Sequence, residues 1–212
     1  GLCYELYSGT MTGCYNTGKI TATGTYVGGL MGYAKQATVT NVYNTGDVST
    51  EKTLVGGLIG VMEKSALTNA YTTGKVTTAA ASGAIGAAVG SADQVSNVYY
   101  LGGASAIGDE NATAKTAEEL KALAPTLGSS FKENTGCGGY PLLAWQEARA
   151  HQYENGVCTV CGAKDPAAPY LLDGVTDAAA EVQTGKSYQL DDLMDGKIFG
   201  VKNGTLTYKN YF

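Results

Sequence analysis

The sequence predicts an all-β fold: a parallel β-solenoid of about four 28-residue coils with a small α/β cap at its C-terminal end, then a knuckle and part of a further β module. Three observations carry this. Tyr15, Tyr43, Tyr71 and Tyr99 are each 28 residues apart (43−15, 71−43, 99−71). Gly18, Gly46, Gly74 and Gly102 keep the same step. Apolar, often β-branched residues also return at fixed columns, with no i, i+3, i+4 spacing of the kind a helix needs.

The copies occupy 13–40, 41–68 and 69–96, and a fourth starts at Asn97. The end of an earlier copy precedes them, with Gly1-Leu2 aligned to Gly29-Leu30. Met11, Val39, Leu67 and Val95 share one column, and Ile20, Val48 and Val76 another. Each copy holds two strand runs, one around the Tyr-Asn-Thr-Gly segment and one at Val-Gly-Gly-Leu. Gly28, Gly29, Gly56 and Gly57 suit a tight bend or a close approach of backbones. Strands stacked in register place like over like, about 4.8 Å apart. Tyrosines then stack on tyrosines, and Asn41, Asn69 and Asn97 form an amide ladder at a turn. Lys19, Asp47 and Lys75 alternate in sign down one column, as do Lys35 and Glu63 down another.

Gly29-Leu30-Met31-Gly32 and Gly57-Leu58-Ile59-Gly60, with the companion Tyr-Asn-Thr-Gly segment, resemble the GLUG-motif repeat. The third copy departs, offering either Gly83-Ala84-Ile85-Gly86 or Ile85-Gly86-Ala87-Ala88-Val89-Gly90. The resemblance implies a scaffold exported to the bacterial surface or the extracellular space, and it supplies no catalytic set.

Residues 1–104 thus form the solenoid, and 105–146 are predicted to cap its exposed strand edges. Thr116-Ala117-Glu118-Glu119 is a capping box opening a short helix. Leu120, Leu123 and Leu127 give that helix its apolar side, and Pro125 limits its length. Gly139 to Trp145 reads as one last strand, similar to the Gly-Tyr-Pro-x-Leu-x-Trp ending of GLUG arrays.

Residues 147–166 form a knuckle or linker. His151 to Gly162 resembles a short Cys-x-x-Cys-Gly knuckle of Gram-positive surface proteins. Cys158 and Cys161 have metal-ligand spacing, and His151 offers a third ligand. The family's usual cysteine beside the histidine is missing, and Cys137 replaces it only if the fold brings it close. The segment has little apolar surface, so it needs a tether. A structural zinc and a disulfide are the two available ones, with free thiols the remaining state. A thioredoxin-like reading lacks the helix that would lower a thiol pKa.

Residues 167–212 resemble the opening of an immunoglobulin-like or cadherin-like module. Its strand candidates are 186–190, 206–208 and 211–212, with Asn203-Gly204 as a hairpin turn. Such a sandwich needs about 100 residues, so the module is expected to continue past Phe212, as the repeat array is expected to extend before Gly1.

Composition narrows function. Net charge is −5 and Arg149 is the only arginine, which opposes nucleic-acid binding. No apolar run is long enough to span a membrane. Cys3 and Cys14 stand in apolar columns and read as small hydrophobes. The carboxylates of the repeats are Glu5, Asp47, Glu51, Glu63 and Asp93; no two share a column, and no histidine or arginine stands near them. The converging acids of a polysaccharide lyase or hydrolase are therefore not expected. Thr12, Thr40, Thr68 and Ser96 form an outward hydroxyl ladder, read as a solvated β face.

The expectation is a non-catalytic structural and adhesive region of an exported bacterial surface protein. It would present flanking domains of the same chain or bind host or matrix proteins or glycans. The alternative is an accessory region of a carbohydrate-active enzyme or peptidase whose catalytic domain lies elsewhere in the chain.

Overall fold

The computed structural model describes residues 1–80, 83, 85–154, 157–163 and 165, with the backbone alone at 180–182 and 199–201. Two compact units are present: residues 1–135 with 139–148, and residues 136–138 with the described residues from 149 onward.

The first unit is a parallel β-solenoid of about three turns. A partial first coil carries β1 (Cys3–Tyr7), β2 (Thr10–Thr12), β3 (Tyr15–Asn16) and β4 (Ile20–Ala22). The second carries β5 (Val27–Gly28), β6 (Met31–Lys35), β7 (Thr38–Asn44) and β8 (Val48–Thr50). The third repeats this as β9 (Val55–Gly56), β10 (Ile59–Glu63), β11 (Ala66–Thr72) and β12 (Val76–Thr78). The fourth keeps β13 (Ile85–Gly86), β14 (Val89–Ser91) and β15 (Gln94–Leu101). Equivalent strands pair in parallel, so the second and third coils each contribute to four sheets, and the first and fourth to three, rather than the two strand runs read from the sequence.

The ladders are in register. Tyr15, Tyr43, Tyr71 and Tyr99 are aligned partners. Tyr43 stacks on Tyr15 at 5.2 Å and on Tyr71 at 5.1 Å, each pair contributing about 0.5–1.5 kcal/mol beyond burial. Asn69 Nδ2 donates to Asn41 Oδ1 at 3.3 Å, and Asn97 Nδ2 to Asn69 Oδ1 at 2.6 Å. These three asparagines have φ of 55°, 52° and 57°, a left-handed bend that asparagine tolerates better than most residues. Lys35 Nζ lies 2.9 Å from Glu63 Oε1, as the charge column predicts. In the other charge column, Asp47 Oδ1 accepts from the Lys75 backbone N–H at 2.8 Å.

The inward columns form the core: Leu30, Leu58, Met31, Ile59, Val39 and Leu67 are all fully buried. Burial of each contributes about 1.5–3 kcal/mol before entropy. Gly29 is required by close approach, since a methyl group there would overlap the Gly57 carbonyl oxygen and the Asn44 amide. In the fourth coil Ile85 pairs with Val55 and Val89 with Ile59. The motif of that copy is therefore Gly86-Ala87-Ala88-Val89-Gly90. Its offset of 30 residues (89−59) returns to 28 by Gln94, opposite Ala66.

The end of the coil stack is closed by residues 102–115. β16 (Thr113–Lys115) adds to β15 in parallel. Ser105 Oγ accepts from the Val76 N–H at 2.7 Å, and the Gly108 carbonyl from the Ala87 N–H at 3.1 Å. Ile107 packs against the valine cluster of Val27, Val48, Val55 and Val76.

The rest of the predicted cap lies on the side of the stack, not its end. α1 (Ala117–Lys121) opens with the predicted capping box: Thr116 Oγ1 accepts from Glu119 N–H, and Glu119 Oε2 from Thr116 N–H. Pro125 does not limit that helix; it stands in the first turn of α2 (Ala124–Leu127), where a missing N–H costs nothing. Leu120, Leu123 and Leu127 are buried with Phe131 and Leu143 against Tyr43 and Tyr71. The predicted strand over Gly139–Trp145 is corrected. Only β18 (Leu142–Leu143) is extended, and it pairs antiparallel with β17 (Phe131–Lys132) instead of continuing the solenoid.

Residues 139–148 form a clip along the tyrosine ladder. The Tyr71 hydroxyl donates to the Pro141 carbonyl at 2.5 Å. The Tyr43 hydroxyl lies 3.0 Å from Oε1 and 2.9 Å from Nε2 of Gln146, donating to the first and accepting from the second. Trp145 sits 5.9 Å from Tyr15 and keeps 64% of its surface exposed.

The second unit holds a hairpin of β19 (Tyr153–Glu154) and β20 (Val157–Cys158), and a parallel pair of β21 (Ala180–Val182) and β22 (Phe199–Val201). The strands expected at 186–190, 206–208 and 211–212 and the turn at Asn203-Gly204 lie outside the described residues. Among the described residues no helix is long and apolar enough to cross a membrane.

Candidate metal centre

A four-residue ligand set is assembled within the second unit. The β19–β20 hairpin brings Cys158 opposite Tyr153, and the chain then turns back on itself. Thr159 N–H donates to the Gln152 carbonyl at 2.9 Å, Gly162 N–H to Cys158 O at 2.9 Å, and Cys158 N–H to Ala163 O at 2.7 Å. This tight turn needs a left-handed residue at its exit, and Gly162 supplies it at φ +73°. The turn directs the two sulfurs of Cys-x-x-Cys to the same side. Cys137 N–H donates to the Arg149 carbonyl at 2.8 Å, which brings the distant cysteine alongside the segment that carries His151.

The sulfurs of Cys137, Cys158 and Cys161 and a ring nitrogen of His151 all lie within 4.8 Å of one another. Cys137 Sγ is 3.5 Å from Cys158 Sγ, and Cys161 Sγ is 3.3 Å from His151 Nδ1. A tetrahedral zinc with Zn–S of about 2.3 Å and Zn–N of about 2.0 Å has edges of about 3.5–3.8 Å. The donor types fit such an ion, and these two separations lie close to its edges. All four residues singled out in the sequence are brought together here, including Cys137, whose part depended on the fold.

The electrostatics favour ligation. Burial works against a charged Cys158. The backbone N–H groups of Cys161 and Val160, the His151 ring and the Gln152 N–H together outweigh it and lower the thiol to about 5. Cys161 is lowered chiefly by the Ala163 N–H, against burial and with help from the Cys137 thiol and the Gly138 N–H. Burial, reinforced by its hydrogen bonds to Cys161 and Cys158, raises Cys137 to about 12. His151 is raised by the Cys158 sulfur, with burial opposing and Cys161 assisting. The cluster thus lowers two of the thiols and raises the third, and a divalent cation would favour the deprotonated form of all three.

Sequence reading did not find Tyr153, which stacks on the His151 ring at 5.3 Å and 16°. Its only signal is an aromatic two places from a candidate ligand. The backbone donors to the sulfurs were foreshadowed by the glycine after Cys161, since that residue permits the turn that aims them.

Residues 23–49 match the GLUG motif. This stretch is one coil of the solenoid, running from the turn before β5 into β8, and it contains Gly29-Leu30-Met31-Gly32. No curated protein and no solved structure matches the chain. The coils that flank the matched one repeat its register, although in the fourth Ala87 and Ala88 replace the first glycine and the leucine of the motif and Gly90 keeps its last glycine.

The other candidate residues occupy structural places. Cys3 and Cys14 pack beside the solenoid core but remain half-buried, because they belong to the partial first coil. Thr68 Oγ1 and Ser96 Oγ lie 3.2 Å apart in the hydroxyl ladder. Glu63 is held by the Tyr33 hydroxyl and, secondarily, by Lys35, which together keep its carboxyl below the usual range.

Proposed function

We propose that this chain is a non-catalytic structural and adhesive region of an exported bacterial surface protein, tethered by a structural zinc held by Cys137, His151, Cys158 and Cys161. The GLUG solenoid acts as a scaffold that presents flanking modules or offers its faces to host or matrix proteins or glycans. The observation that carries this reading is the in-register repetition of side chains, in which polar groups satisfy their own copies in the next coil. Asn41 serves Asn69, Lys35 serves Glu63, and Asp47 serves the Lys75 backbone, so these polar side chains are committed to holding the stack.

The zinc assignment rests on the donor set. Three sulfurs and an imidazole nitrogen gathered within 4.8 Å of one another suit zinc, and a ligand set supplied entirely by the protein is that of a structural site. The hairpin buries little apolar surface, with Val157 and Val160 exposed, so metal ligation would provide much of its stability.

Elemental analysis of the purified chain tests the metal: one zinc per chain is expected, and none after purification in zinc-supplemented medium would reject it. Antibody labelling of intact source cells tests the location. Signal only after permeabilisation would reject export to the surface.

A further inference from the structure

The clip and the metal centre share a loop. Cys137 and His151 are 14 positions apart (151−137), and residues 139–148 lie between them. The clip is held at several separate points. Its strand pairing extends over only two residues, and two-residue ladders open at low free energy. Its other anchors are the bonds of Tyr71 to Pro141, of Tyr43 to Gln146 and of the Ala144 N–H to the Ser130 carbonyl, with the burial of Leu143 beneath the ladder.

We infer that a metal ion held by Cys137 and His151 clamps the clip onto the tyrosine ladder. The reading rests on the zinc assignment made above. When both ligands are bound to one ion, the chain between them becomes a closed loop. Closure removes many of the open conformations available to the clip while leaving its docked state unchanged. The Cys137 N–H to Arg149 carbonyl bond already draws the loop ends together. By linkage, docking also raises metal affinity by the same factor. The tyrosine face of the solenoid is then covered in the metal-loaded chain and more readily bared in the metal-free one.

Hydrogen exchange of the full chain tests this at the Leu143 and Ala144 amides, which donate to Gln146 Oε1 and to the Ser130 carbonyl. Saturating zinc should slow their exchange about ten- to one-hundredfold relative to chelator-treated protein. Two three-ligand variants locate the cause. Cys161→Ser keeps both loop ends coordinated and should retain the protection at saturating zinc. Cys137→Ser leaves the loop open and should lose it, even with zinc shown bound by elemental analysis. Zinc bound to the wild-type chain with unchanged clip exchange would overturn the clamp and leave the metal site standing. Equal protection in two loaded variants would also overturn it. A wild-type chain that takes up no zinc would reject the metal assignment and the clamp with it.

Discussion

Asp109 Oδ2 accepts from the Val89 backbone N–H at 2.6 Å and from the Ala88 N–H at 2.8 Å. In every earlier coil the equivalent pair is served by a carbonyl of the next coil. Leu30 O takes Leu2 and Cys3, Leu58 O takes Leu30 and Met31, and Ala88 O takes Leu58 and Ile59. A carboxylate thus stands in for the carbonyl of a coil that is not there. Replacing Asp109 with Ala should strand two donors and cost roughly 2 kcal/mol, whereas Asp109→Asn, which keeps an oxygen, should cost less. Urea unfolding of the two variants checks this. A loss below about 0.5 kcal/mol for the alanine variant would mean that water replaces the carboxylate at little cost.

Thr72 marks a defect in a second amide ladder. Asn16 Nδ2 donates to Asn44 Oδ1 at 2.8 Å, and Asn44 Nδ2 donates to Gly57 O at 2.8 Å. Thr72 is the aligned partner of Asn44, and its Oγ1 is buried without a hydrogen-bond partner. Thr72→Asn would donate to the Ala87 carbonyl, as Asn44 donates to that of Gly57. It should stabilise the solenoid by about 1 kcal/mol, a rise in Tm of about 2–4 °C. A fall in Tm would show that the fourth coil, with its two-residue offset, leaves no room for the longer side chain.

How far these features were legible follows from how each is encoded. The tyrosine, asparagine and Lys35–Glu63 ladders were readable because a period of 28 residues puts identical or complementary side chains at one height. The motif of the fourth coil was not, because the extra residues before Ile85 break the count and only strand pairing restores it. The place of the clip was also hidden. Gly139 to Trp145 has the apolar content of a strand, but nothing in it says that the tyrosine hydroxyls need partners from the side. Leu120, Leu123 and Leu127 were legible as an apolar face, though not as the cover for that ladder. In the metal centre the Cys158–Cys161 spacing is local and was readable. Cys137 was readable only as a conditional fourth ligand, because its approach depends on a backbone bond to Arg149, 12 positions on (149−137).

Burial, with a contribution from Tyr15 and against the Gln146 bond, raises Tyr43 to about 12 from the ordinary value of 10. Burial raises Tyr71 well above the ordinary value too, reinforced by Tyr43 and Tyr140. The fold therefore favours the neutral phenols. Their contribution to stability is fully present below pH 10, the unfolded value, and declines as pH rises through 12. Absorbance of tyrosinate should show these two rings ionising only as the clip and solenoid unfold. Tyr43→Phe should weaken that alkaline dependence and cost about 1 kcal/mol at neutral pH, because Gln146 loses its partner. Early, reversible ionisation of all the tyrosines with the fold intact would refute the burial of the ladder.

Metal loading should also be visible as a change in thiol count. The chain has five cysteines, of which Cys3 and Cys14 belong to the solenoid and three to the ligand set. In the loaded protein only the two solenoid thiols should react with a thiol reagent, and Cys3 should react slowly, since burial raises its pKa. A chelator should expose the other three, and the Cys158 thiol, lowered to about 5, should be the first of them to react. Thiol reactivity depends on the thiolate fraction, so this order should persist at mildly acidic pH, where Cys137 is protonated. Three reactive thiols after chelation under denaturing conditions, with five recovered only on reduction, would instead identify a disulfide. Two of Cys137, Cys158 and Cys161 would then be its partners, with no metal holding the knuckle.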